Sequence, residues 1–115
     1  MQRLVRTLSQ SLAMEILLMG SRLDAEKAER FGLVSRVMPS DMLMSEGLSL
    51  ADKIASNAPL AVRAVKEISQ CSRDQSLEES LRYGNALRWA IGQTADAKEG
   101  PRAFSEKRAP IFKGT

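Results

Sequence analysis

The residues best suited to binding chemistry lie in the segment EGPRAFSEKRAPIFKG, residues 99–114. If a helix begins at Pro101, then Phe104, Lys107 and Arg108 share one face, because they are spaced i, i+3 and i+4. An aromatic ring beside two cations can stack on a heteroaromatic base while the cations meet phosphates. The alternative, which the spacing alone favours, is a solvated basic helix whose Phe104 packs into a core.

The rest of the chain offers little for catalysis. It has no histidine and one cysteine, which excludes Ser-His and Cys-His nucleophile pairs and an intrachain disulfide within it. Glu78 and Glu79 point about 100° apart on a helix, and a capping box with Ser76 accounts for Glu79. Cys71 lacks a histidine partner and is predicted to be a small inert residue. We therefore expect no catalytic residue and no metal site in this chain.

The composition is that of an ordinary helical globular region. Of 115 residues, 43% are hydrophobic and 27% charged, while aromatics make up only 4%, so the core must use aliphatic residues and alanine. The net charge is +3, but acids and bases are interleaved, which argues against nucleic-acid binding. No apolar run approaches the roughly 18 residues that span a membrane. The start of the chain lacks a secretory apolar segment, so we expect a cytoplasmic protein.

Helical periodicity dominates the elements that must position these residues. The sequence predicts five or six short helices and at most one short strand, LVSRVM at residues 33–38, which Pro39 closes. A lone strand must add to another element or remain an extended connector. Helix starts are predicted at Ser9, Asp24, Ser40, Pro59, Ser76 and Pro101, with stops at Gly20, Gly32 and about Gly92. Thr94 and Asp96 are predicted to start a further turn, which Gly100 and Pro101 interrupt.

Three stretches, in this order, resemble the C-terminal portion of the crotonase, or enoyl-CoA hydratase/isomerase, superfamily. They are LAMEILLMGSRLDAEKAERFGLVSRVMP, NAPLAVRAVK and TADAKEGPRAFSEKRAPIFKG. The similarity runs from about residue 2 to residue 114 and is most specific at residues 20–34 and 99–112. Residues 1–115 are accordingly expected to be the C-terminal helical region of a crotonase-like fold, with the ββα spiral core absent from this chain.

The resemblance implies that catalysis and coenzyme A binding involve different parts of the complete protein. In the family, the spiral binds the acyl-CoA thioester, supplies two backbone N–H groups of an oxyanion hole that stabilises an enolate and, in hydratases, carries two glutamates. None of those motifs matches here, so the chain is expected to be a fragment that is inactive alone. The resemblance also places Phe104 and Lys107 near the adenine and phosphates of coenzyme A. That coenzyme A is part of the substrate, and no tightly bound cofactor is expected.

The resemblance also implies partners. Family members form trimers that pair into hexamers, with the C-terminal helices packed on a spiral of their own or a neighbouring subunit. An isolated copy would expose apolar stripes, such as the one containing Leu43, Leu50 and Ile54, and exposed patches of that kind bind partners. We expect self-association or docking onto a crotonase-type spiral. The alternative is a noncatalytic helical assembly module or a naturally short partner subunit.

Overall fold

The computed structural model describes residues 2–115, which form seven α-helices and no strand. The mostly α fold class is confirmed, and residues near the start of the chain add a helix that the sequence signals did not indicate. The described residues group into two compact units, one up to Met44 and one from Ser45 onward. The helices are α1 (Gln2–Thr7), α2 (Gln10–Met19), α3 (Ala25–Arg30), α4 (Leu43–Ala55), α5 (Pro59–Cys71), α6 (Leu77–Gly92) and α7 (Ala95–Ser105).

Helices α2 and α3 of the first unit follow the predicted start and stop signals, whereas α4 begins at Leu43 and not at the predicted Ser40. Helix α2 has Ser9 as its N-cap and is followed by Gly20, whose φ of 65° is left-handed. The Asp24 carboxylate caps α3 by accepting the Lys27 N–H at 2.7 Å. The Asp24 cap and the left-handed Gly20 act within a few residues of the helix ends, whereas the Ser9 side chain forms no capping hydrogen bond.

Helix α3 ends in a Schellman motif, in which the two residues after the C-cap donate back to the last helical turn. The Gly32 N–H donates to the Glu29 carbonyl at 2.9 Å, and the Leu33 N–H donates to the Ala28 carbonyl at 2.8 Å. Gly32 occupies the left-handed position with a φ of 74°. Glycine adopts this conformation without steric cost because it has no Cβ.

The strand considered for residues 33–38 does not form. The Val34 N–H donates to the Ala28 carbonyl at 3.3 Å, and the Val37 N–H donates to Glu29 Oε1 at 3.0 Å. The N–H groups of Val34 and Val37, which a sheet would have needed, are thus bonded to residues of α3. Residues 33–38 form a connector, which was the alternative to a strand.

In the second unit, α5 packs on α6 and α6 packs on α7. The predicted capping box begins α6: the Ser76 N–H donates to Glu79 Oε2 at 3.0 Å, and the Glu79 N–H donates to Ser76 Oγ at 3.3 Å. A Cβ added to Gly84 would lie 3.7 Å from Ile68 Cδ1, which is ordinary contact distance. The two helices therefore approach closely where α6 has no side chain.

The prediction that the last helix begins at Pro101 is wrong. Helix α7 begins at Ala95 and runs through Pro101, with Thr94 as its N-cap. Thr94 Oγ1 accepts the Ala97 N–H at 3.2 Å. Proline inside a helix removes one main-chain donor, and here that does not end the helix. The helix ends at Ser105, so Lys107 lies beyond it.

The core is small. The chain exposes 9464 Å², whereas a folded monomer of its mass exposes about 6,200 Å². Leu43 and Ile54 of the predicted α4 stripe are 60% and 57% exposed. The helical periodicity of residues 77–92 predicts that Leu77 and Leu81 face inward, and both are exposed as well. Among the residues that the structure describes, the buried apolar ones are Leu8, Ala13, Ala28, Ala64 and Ala103.

Among the described residues, no helix has both the length and the apolar composition needed to cross a membrane.

Candidate functional site

The end of α7 repeats the Schellman geometry of α3 with a lysine where α3 has glycine. The Lys107 N–H donates to the Phe104 carbonyl at 3.2 Å, and the Arg108 N–H donates to the Ala103 carbonyl at 3.0 Å. Lys107 has a φ of 54°, and it is the one non-glycine residue with positive φ in the described part of the chain. For a residue with a Cβ this conformation costs about 1–2 kcal/mol.

Phe104 projects into solvent at this turn. Its side chain is 87% exposed, so the alternative in which it packs into a core is wrong for this chain. Lys107 is exposed too. The structure thus brings the two predicted site residues to the same helix end, joined by the hydrogen bond between their main chains. Their shared location comes from the turn and not from the helical spacing, because Lys107 lies outside the helix.

Arg108 is not a second free cation beside the ring. Its Nη1 and Nη2 donate to Glu99 Oε1 and Oε2 at 2.6 and 3.0 Å, and its Nε donates to Glu106 Oε2 at 2.5 Å. The Glu99 side chain is only 10% exposed. It also contacts Arg102 Nη2 at 2.9 Å and accepts the Ile111 N–H at 2.9 Å. The predicted face of one ring and two cations is therefore wrong for Arg108, which is engaged within the chain.

A second carboxylate, one helical turn earlier, holds residues 109–115, which we call the C-terminal strap. Asp96 is buried, and its two oxygens accept the Lys113 and Gly114 N–H groups, each at 2.7 Å. In return, the Thr115 main-chain oxygen accepts the N–H groups of Ala95 and Asp96 at 2.7 and 3.2 Å. Asp96 and Glu99 together fix the strap along α7.

An open groove of about 740 Å³ lies between α7 and the strap. Neither Phe104 nor Lys107 lines it. Its walls carry charges of both signs, most of them already paired with one another. The lining residues include Lys98, Glu99, Arg102, Glu106, Arg108 and Lys113.

Comparison with known proteins identifies the family. The whole chain, residues 1–115, matches the family described as Enoyl-CoA hydratase/isomerase. The chain belongs to this family. The crystal structure of an enoyl-CoA hydratase from Bacillus anthracis superposes with a TM-score of 0.96 at 37% identity, over 99% of this chain and 44% of that one. The resemblance stated from the sequence motifs is confirmed.

Two hydratases illustrate the range of relatives within this family. An (E)-benzylidenesuccinyl-CoA hydratase from Thauera aromatica is 43% identical over 113 residues, which are 98% of this chain and 44% of that protein. A 2,3-dehydroadipyl-CoA hydratase from Escherichia coli is 40% identical over 113 residues, with the same coverage. The chain therefore spans less than half the length of these enoyl-CoA hydratase/isomerase family members.

No group of three or more His, Cys, Asp or Glu side chains in the described part of this family member is placed to hold a metal ion.

Sequence reasoning missed one contact between helices: the Tyr83 hydroxyl of α6 donates to Glu67 of α5. That hydrogen bond to a carboxylate raises the pKa of Tyr83, because it favours the protonated phenol. The contact ties α5 to α6, and neither residue is a candidate for the site.

The strap should loosen in acid because of Glu99. The hydrogen bonds from Arg108 and then from the Ile111 N–H lower the pKa of Glu99 from 4.5 to about 2. A lowered folded-state pKa stabilises the protein fully above the unfolded value, and this stabilisation is lost as the pH falls from about 4.5 to about 2.

Urea unfolding between pH 6 and pH 2 tests this expectation. The difference in stability between the wild type and Glu99→Gln should be largest near pH 6 and shrink toward pH 2. A difference that stays constant over this range would contradict the assignment to Glu99.

Proposed function

We propose that this chain is the helical part of an enzyme that acts on acyl-CoA thioesters, and that Phe104 and Lys107 bind the nucleotide end of coenzyme A. One observation carries the assignment of the site: an 87% exposed aromatic ring beside a lysine held in the left-handed conformation. Within the described residues the Lys107 ammonium group forms no ion pair.

The strained turn supports a role for the lysine. Glycine at position 107 would complete the same motif without a Cβ penalty, as Gly32 does in α3. Backbone strain of this kind is concentrated at functional sites, where the surroundings hold it in place. Glycine would have the lower conformational energy at position 107, so the presence of lysine there is explained if its charge binds a ligand. A phosphate group is such a ligand.

The names of the relatives support coenzyme A as the shared ligand. The benzylidenesuccinyl-CoA hydratase and the dehydroadipyl-CoA hydratase are named for different acyl groups but for the same carrier. This chain is similar to both hydratases along almost its whole length, which favours a role in binding coenzyme A, the part that their two substrates share. The adenine ring would stack on Phe104, and the phosphates would meet Lys107.

We place the chemistry of the complete enzyme outside this chain. Two backbone N–H groups would polarise the thioester carbonyl and stabilise an enolate, and glutamates would move protons or activate water. Hydration of an enoyl-CoA is the reaction that the relatives' names favour. The enzyme would be cytoplasmic and would need no cofactor other than the coenzyme A of its substrate.

The exposed apolar side chains support a structural role as well. Leu43 and Ile54 on α4 and Leu77 on α6 are more than half exposed. We propose that these faces pack on a crotonase-type spiral of the same or a neighbouring subunit in a trimer or hexamer. Burying them would supply the hydrophobic stabilisation that the small core of this chain lacks.

Hydration of crotonyl-CoA tests the proposal, followed as the loss of absorbance of the conjugated thioester. The complete protein should turn over this substrate or a longer enoyl-CoA, whereas the 115-residue chain alone should not. Turnover by the chain alone would overturn the location proposed for the catalytic groups. A complete protein that is inactive on all enoyl-CoA substrates would favour the noncatalytic assembly module.

A further inference from the structure

We infer that Arg108 and Glu99 form a clamp that holds Lys107 in its left-handed conformation and so determines where its ammonium group lies. This inference rests on the proposed function, because it makes Arg108 and Glu99 positioning residues for the coenzyme A end of the substrate. Neither residue is inferred to touch the ligand.

The clamp is anchored in the body of α7. Glu99 lies two turns before the helix end, and its carboxylate is mostly shielded from solvent. It is held by Arg102 and by the Ile111 N–H as well as by Arg108. Because these contacts come from the helix and from the strap, the carboxylate is a fixed point against which the turn can be held.

Arg108 connects this anchor to the turn. Its guanidinium meets both oxygens of Glu99, an arrangement that restrains orientation as well as distance. Its Nη1 also donates to the Ala109 carbonyl at 3.0 Å. With its main-chain N–H bound to the Ala103 carbonyl, Arg108 is fixed at both its backbone and its side chain.

Lys107 lies between two residues whose side chains are bonded to each other. Arg108 Nε donates to Glu106 Oε2 across it, so the flanking side chains are drawn to the same side of the turn. The matching turn of α3 has Phe31 and Leu33 at the flanking positions, which cannot form such a pair. Gly32 adopts the left-handed conformation there without steric cost, whereas Lys107 needs the clamp.

Kinetics of the complete enzyme with two substrates tests the inference. One substrate is an enoyl-CoA, and the other is the same enoyl group on N-acetylcysteamine, which has no adenine and no phosphate. Arg108→Ala should raise the KM for the enoyl-CoA about fivefold with little change in kcat, since it costs part of one charge-assisted hydrogen bond. The kinetics of the short thioester should change much less. Arg108→Lys keeps the charge but not the two-point contact, so its KM should lie between those of Arg108→Ala and the wild type.

The outcomes separate the clamp from the site that it serves. Equal losses on both substrates would show a merely structural role and overturn the inference, as would a crystal structure of Arg108→Ala in which Lys107 keeps its positive φ. A Lys107→Ala variant with an unchanged KM for the enoyl-CoA would instead overturn the proposed coenzyme A contact.

Discussion

An Asp96→Ala variant should lose about 3 kcal/mol of stability where the strap meets α7, because hydrogen bonds to charged groups contribute about 1.5–3 kcal/mol each. The carboxylate of this buried residue accepts two main-chain N–H groups, those of Lys113 and Gly114. Alanine would leave both donors without their acceptor. It would also remove a negative charge from the first turn of α7, where the helix dipole favours one.

Amide hydrogen exchange at Lys113 and Gly114 measures this loss directly. A loss of about 3 kcal/mol corresponds to exchange that is about 100-fold faster, if the strap opens locally. Asp52→Ala is a matched control, since Asp52 is exposed on α4 and such surface changes alter stability by less than about 0.5 kcal/mol. Unchanged exchange at the two strap amides in Asp96→Ala would contradict the role assigned to Asp96.

Lys107→Gly should make the protein more stable and a weaker binder of acyl-CoA. Glycine removes the steric cost of the left-handed conformation, so the stability should rise by about 1 kcal/mol. The same change removes the cation proposed to meet a phosphate. The KM of the complete enzyme should therefore rise about tenfold with little change in kcat, because a contact far from the reacting atoms contributes uniform binding.

Variants at positions 107 and 32 separate charge from backbone. Lys107→Ala should raise the KM as glycine does but leave the stability near that of the wild type, since alanine keeps a Cβ. Lys107→Arg should keep most of the binding. Gly32→Ala places a Cβ in the equivalent turn of α3 and should cost about 1 kcal/mol. A glycine variant that is less stable than the wild type, or one with an unchanged KM, would contradict the account of Lys107.

The helix ends that depend on neighbouring residues could be predicted from the sequence. The side chains of Asp24 and Ser76 cap helices, and Gly20 and Gly32 follow helix ends, because each signal acts within about four residues. Ser9 precedes α2 but forms no capping hydrogen bond. Thr94 marks the start of a helical turn in the sequence, but Pro101 predicts a break and a new helix at a point where α7 continues. Proline fits both a first turn and, at some cost, the interior of a helix, so its presence alone does not fix the boundary.

Contacts between distant residues could not be predicted in the same way. Asp96 reaches the Lys113 and Gly114 amides 17 and 18 positions away, and no local pattern indicates this pairing. The periodicity of α6 predicts that Leu77 and Leu81 are buried, and both are exposed. An amphipathic pattern identifies a face that requires a partner, but it does not say whether the partner belongs to the same chain.

The candidate site was predicted by resemblance more than by spacing. Helical spacing groups Phe104 with Lys107 and Arg108, whereas in the structure Phe104 and Lys107 lie together because of the turn that follows Ser105. The sequence does not predict the left-handed conformation of Lys107, because lysine rarely adopts a positive φ. The contact that we propose to hold it, the ion pair of Glu99 with Arg108, joins residues nine positions apart in the sequence.

The position of Thr115 has a practical consequence for anyone who produces this protein. Its main-chain oxygen is held by the N–H groups of Ala95 and Asp96 at the start of α7. A purification tag or fluorescent fusion attached after Thr115 would begin directly at this contact. Any displacement of Thr115 would pull on the strap, which also contains Lys113 and Gly114. A reporter joined at this position would therefore lie beside the strap and α7, the region in which we propose the coenzyme A contact.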